Sequence, residues 1–271
     1  MRNPYAKAIL PVFAALAFSS VAMAQGNNAG VAQYRKLPTL NTPGGPAPVH
    51  DVTGVWVGPM AGSGGEIPPM TPLGQKRFSL NRTEAVYGTA GSSDPQNTCD
   101  PSGLPRILLY SAPSRNKSFA TMPDRIVVMQ QYQKIWRDVW MDGRELPKNV
   151  GAKGGPPPRW FGYSVGHWDG DYTLVIDSTG SDDRSWLDSG GHPHSVDMHV
   201  EERYTRVDHN HLEMTVTLDD PTIYTKPFVL GKSTFIWIPE QETEEQICVA
   251  SEGIEYLNSL SRPSFGGAEA K

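Results

Sequence analysis

The densest chemistry in the chain lies in one polar run, Gly180 to His199, which holds Asp183, Arg184, Trp186, His192, His194, Asp197 and His199. Most of the seven histidines fall between His192 and His211. Histidine exchanges protons near neutral pH, and its neutral ring is a common metal ligand. Pro193 biases His192 towards an extended backbone, which would turn His192 and His194 the same way. Three roles fit this pattern. In the first, His194 is a general acid or base, His192 its partner, Asp183 the orienting carboxylate and Arg184 a clamp for an anionic group. In the second, His192 and His194 join Asp183, Asp197 or His199 around a divalent metal. In the third, the histidines hydrogen-bond the loop and cap the end of a barrel. His209 and His211 sit in a turn and read as solvated, while His50 and His167 carry no signal.

A second cluster is Arg137-Asp138-Val139-Trp140-Met141-Asp142-Gly143-Arg144. In a strand, Asp138, Trp140 and Asp142 share one face. Buried charge is costly unless paired, so a salt-bridged outer face is the expectation. The functional alternative puts Trp140, Asp142 and Arg144 against a substrate. Trp186, Trp140 and Tyr163 are the aromatic candidates for holding a flat molecule. Acid–base chemistry of this kind needs no cofactor, and a divalent metal enters only under the second role.

Several other chemistries are excluded. The chain has no Gly-x-Ser-x-Gly elbow, no His-Glu-x-x-His and no Cys-x-x-Cys. Gly231-Lys-Ser-Thr234 resembles the tail of a phosphate loop, but Lys226 stands where the leading Gly is required. The net charge is −5 and the basic residues are spread without a stripe, so nucleic acid is not an expected partner.

These residues must be positioned by a turn-rich fold. With 27 Gly and 24 Pro, nearly a fifth of the chain interrupts helices and central strands, which argues against a helix bundle. The expected first strand is Thr53–Val57, residues 58–75 read as irregular, and 73–80 suits one or two helical turns. From Arg106 onward the pattern is repeatedly β, beginning with the apolar run Arg106–Tyr110. Asp169-Gly170 between alternating runs is a strong hairpin signal, and a second hairpin joins 196–207 to 212–218. Ser233–Ile238 and Ile247–Val249 read as closing strands. The expectation is all-β: nine or ten antiparallel strands in a meander closed into a lipocalin-like barrel, with a β-sandwich as the alternative.

Residues 1–24 have the form of a secretory signal peptide, with Arg2 and Lys7, an apolar run from Ala8 to Phe18, and Ala22-Met23-Ala24 as the cleavage site. The apolar run is too short to span a bilayer and no Cys follows the cleavage site. A periplasmic or secreted protein without a membrane anchor is therefore expected. Residues 25–50 read as a flexible linker, 51–262 as a single barrel domain and 263–271 as a flexible tail. In an oxidising compartment the only two cysteines, Cys99 and Cys248, suit a disulfide between early and late parts of the fold.

The chain resembles a broad family of uncharacterised secreted bacterial proteins. The resemblance is carried by Gly54-Val-Trp56, Pro69-Met-Thr-Pro72, Cys99-Asp-Pro101 and Trp140-Met-Asp-Gly-Arg144. It continues through Gly166-His-Trp-Asp-Gly-Asp171, Trp186-Leu-Asp188, Gly191-His-Pro-His-Ser195, Glu202-Arg-Tyr204 and Asp219-Asp-Pro221 to Tyr224-Thr-Lys-Pro227. Similar proteins often carry Glu-Asn soon after the late Cys, whereas Cys248 is followed by Val-Ala-Ser-Glu252. The Gly-x-Trp opening is also similar to that of lipocalin-type (calycin) barrels. The resemblance implies a fold and a compartment rather than an activity. The leading expectation is an exported barrel enzyme of lyase, isomerase or hydrolase type, using His/Asp acid–base chemistry on a small aromatic or apolar molecule. The alternative is a non-catalytic lipocalin-like carrier of a hydrophobic ligand, and the third reading is a His-ligated metalloprotein.

Overall fold

Every second residue of the strand His199–Arg206 is buried, so Val200, Glu202, Tyr204 and Arg206 point inward while their neighbours meet solvent. That period organises the fold seen in a computed structural model, which describes residues 42–83, 92–109, 116–242 and 245–261. The expected leader, most of the linker and the tail lie outside the described residues. The strands are β1 (Gly54–Gly64), β2 (Lys117–Thr121), β3 (Arg125–Gln130), β4 (Ile135–Trp140), β5 (Tyr163–Asp169), β6 (Thr173–Thr179), β7 (His199–Arg206), β8 (His211–Asp219) and β9 (Phe228–Trp237). They form a closed barrel in chain order, with β9 returning to β1. The lipocalin-like order is met, and the sandwich is not.

One pairing departs from the expected meander. β4 and β5 run parallel, joined only through Val139–Ser164 and Trp140–Val165. The long connection 141–162 brings the chain back before β5 starts, as a parallel pair requires. Residues Ile135–Asp138 therefore pair with β3 on one side and leave the β5 side of the wall unlaced. Gly162 (φ +60) makes the bend into β5, where a Cβ would run into the carbonyl oxygen of Thr179.

Three local expectations need correction. β1 continues through the Gly/Pro-rich segment to Gly64, with its register against β9 shifting between Val57 and Ala61. That irregularity accommodates Pro59, which has no N–H to give to a ladder. Arg106–Leu108 is a buried 3₁₀ turn rather than a strand, anchored by Arg106 on Asp94 at 2.7 Å. A short apolar run buried on all sides lacks the alternation that separates strand from turn. Ile247–Val249 leads into a helix, α2 (Ala250–Ser261), instead of closing the sheet. Cys248 at its start is bonded to Cys99, which ends the 3₁₀ turn Pro95–Thr98. The other helix, α1 (Pro72–Leu80), is two and a half turns long. Thr71 caps it by accepting from the Gly74 N–H at 3.1 Å, and Pro72 opens it.

The interior is filled by Trp56, Phe119, Ile126, Val128, Leu174, Ile176, Leu212, Val216 and Phe235. At the end where β7 turns into β8, Arg206 lies over the rings of Trp56 and Trp237 and donates to the carbonyls of Asp51 and His209. The last linker residues also pack there: His50 stacks on Trp168 and reaches the Gly170 carbonyl at 3.1 Å. No helix among the described residues is long and apolar enough to cross a membrane.

Candidate functional site: an aromatic groove over a buried charge relay

The histidine loop between β6 and β7 is held down at almost every residue that carries chemistry. His194 is fully buried, with Nδ1 donating to the Ser195 carbonyl at 3.1 Å. Ser185 Oγ lies 2.9 Å from His194 Nε2 and 3.0 Å from the Asp182 carbonyl, so its one proton is shared between two acceptors. Burial pushes the His194 pKa down, favouring the neutral ring. Asp183 pairs with Arg77 of α1 at 3.0 Å, and the same Arg77 nitrogen donates to the His194 carbonyl. Arg184 pairs with Asp182, whose carboxyl is held low by those hydrogen bonds. His192 bonds Asp188 at 2.7 Å and stacks on Phe78. Asn81 reaches the Gly191 carbonyl, Tyr224 the Pro193 carbonyl, and Asp220 takes both the N–H and the hydroxyl of Ser195. The four residues expected to act together thus take separate partners. Among them, only His194 and Asp183 share one, Arg77.

The residues of the metal alternative are likewise dispersed. His199 pairs with Asp177 at 2.9 Å on the outer face of β6 and β7, and Asp197 is exposed. Among the described residues no group of three or more His, Cys, Asp and Glu is placed to hold a metal ion. Trp186 is buried in the loop rather than facing a ligand cleft. His211, expected in solvent, is also buried and bonds Asp208 at 2.8 Å.

A different set of charges occupies the barrel itself. Arg137 of β4 donates to both oxygens of Glu202 on β7, at 2.5 and 2.9 Å, and contacts Ser164 and Ser178 at 3.3 Å. Tyr204 donates to Glu202 at 2.8 Å and accepts from Lys117 Nζ at 2.7 Å. The relay Lys117–Tyr204–Glu202–Arg137 therefore crosses the interior from β2 to β4. Burial pulls the Lys117 pKa down to about 7, with the Glu202 carboxylate opposing and the Arg137 guanidinium adding to the shift. Burial, with Glu202 beside it, raises the Tyr204 pKa well above its usual value.

Arg137 has a second role in the geometry. It forms the floor of a groove of about 570 Å³ in the unlaced wall between β4 and β5. Trp136, Trp140, Trp160, Phe161 and Tyr163 line the groove, with Arg144 and Arg159 at its edges. Trp136 is 73% exposed, which is unusual for a Trp. Trp140 lies between two guanidinium groups, Arg125 at 3.8 Å and Arg144 at 3.5 Å from its ring. Arg159 covers Tyr163 at 4.1 Å, and Arg184 covers Trp160 at 4.3 Å. Asp142 holds Arg144 through its Nε and Nη2, and those hydrogen bonds keep its carboxyl pKa low.

Of the residues singled out as substrate contacts, Trp140, Tyr163 and Arg144 meet in this groove, Asp142 supports it through Arg144, and Trp186 lies elsewhere. Trp136, Trp160 and Arg159 were missed. Trp136 precedes Arg137 in β4, and residue type does not say that the wall beside it is open. Trp160 and Arg159 follow a Pro-rich loop, where no period marks what faces what. No family model matches the chain, and no curated protein matches it.

Proposed function

We propose that this barrel is a binding protein for a small planar organic molecule, held in the groove between β4 and β5. The observation that carries this is the convergence of five aromatic side chains on one cleft whose floor is a buried, paired Arg137. An exposed Trp beside a preformed cleft offers a ring face at little ordering cost, because few rotatable bonds are fixed on binding. The interior of the barrel is packed with side chains, so the side groove rather than the barrel axis is the place for a ligand. The expected extracytoplasmic location suits such a carrier, and the Cys99–Cys248 disulfide is compatible with it. The catalytic reading draws less from the geometry, since His194 is fully buried and bonded within its own loop.

Titration with 2-naphthamide, followed by quenching of tryptophan fluorescence, tests the proposal. Saturable binding that is lost in Trp136→Ala, with the melting temperature within about 2 °C of wild type, is the expected result. Unchanged affinity in that variant would place the ligand elsewhere and overturn the reading.

A further inference from the structure

The walls of the groove are aromatic and do not by themselves distinguish a neutral ring from a charged one. Its ionisable residues do. Arg137 is neutralised by Glu202, and Arg144 by Asp142. Asp138 lies 3.7 Å from Arg125, which also holds Asp124 at 3.0 Å, and Glu145 pairs with Lys148 at 3.3 Å. Arg159 alone among the lining charges has no hydrogen-bond or ion-pair partner for its guanidinium among the described residues. Its contact is with the face of Tyr163. Stacking of this kind occupies one face of the guanidinium and leaves the N–H groups in its plane free, in the fork geometry that matches a carboxylate.

Resting on the groove as the binding site, we infer that its ligand is an aromatic carboxylate, a monoanion whose ring lies against the tryptophans and whose charge is received by Arg159. Arg159 is thus the one lining cation whose guanidinium meets no carboxylate among the described residues, and one such fork receives one carboxylate. Arg184, which lies over Trp160, is already held by Asp182 and does not compete for the anion. Arg159 is exposed, so solvent and salt screen the attraction and the gain in affinity is moderate, roughly fivefold at low ionic strength.

The test compares 2-naphthoate with 2-naphthamide, two ligands of nearly the same shape that differ in charge. Wild-type protein is expected to bind 2-naphthoate roughly fivefold tighter in calorimetric titration at low salt, with the preference shrinking as salt is added. Arg159→Gln is expected to remove the preference, so that the two ligands bind the variant with equal affinity. Equal affinities in wild type, or a preference that survives Arg159→Gln, would overturn the assignment of the anion. Failure of both ligands to bind would instead overturn the groove as the site.

Discussion

Glu202 on β7 accepts hydrogen bonds from both Nη atoms of Arg137 on β4, across the inside of the barrel. The two residues are 65 positions apart in sequence and stand on strands that are not neighbours in the sheet. Taking two charges out of water costs several kcal/mol per ion, and the bidentate geometry together with Tyr204, Ser164 and Ser178 offsets that cost. The pair thereby fixes the floor of the groove.

Removing one partner leaves the other charged and buried. Glu202→Gln is expected to lower unfolding free energy by about 3–5 kcal/mol in urea denaturation, whereas replacing Arg137 and Glu202 together by Met is expected to be close to neutral. A mild effect of Glu202→Gln alone would mean that water reaches Arg137 freely.

Lys117 makes stability depend on pH in the alkaline range. Its pKa is about 7 in the fold, against 10.5 for the ordinary side chain, so between these values the unfolded chain binds the extra proton. Stability from this group therefore rises as pH increases from about 7 to 10.5, and is flat below 7. Lys117→Met is expected to remove that rise and to equal or exceed wild-type stability at pH 7. Urea midpoints measured across the range, with identical slopes for both proteins, would contradict this.

His194 is placed to hold the loop. His194→Ala is expected to cost about 2–4 kcal/mol, because it empties a fully buried site and removes one of the two partners of the Ser185 hydroxyl. If the variant melts with wild-type cooperativity and temperature but loses a measurable turnover, the acid–base role returns in place of the structural one.

Much of the barrel was legible because its signals are local. Asp169-Gly170 marked the β5–β6 hairpin, with Gly170 at φ +67, and the second hairpin, 196–207 to 212–218, marked β7 and β8. Trp140 and Tyr163, singled out by type alone, both line the groove. The bonding of the histidine loop was not legible, because residue type says what a side chain is able to do, not what it is bonded to. His192, His194 and Asp183 look alike on paper whether they face a substrate or Asp188, Ser185 and Arg77. The α1 helix with its C-cap Asn81, which supplies Arg77, Phe78 and Asn81 to that loop, lies about a hundred residues earlier in the chain, beyond the reach of any spacing argument.

The sequence by itself determined the class of fold, the hairpins and the cysteines that pair, since alternation, turn chemistry and count are properties of neighbouring residues. Only the tertiary structure decided that β4 meets β5 in parallel through two residues, opening a groove in the wall. It alone decided that Lys117, Tyr204, Glu202 and Arg137 meet inside. The physical reason is register: which inward side chains touch across a barrel depends on how nine strands align around it, and no single strand carries that information.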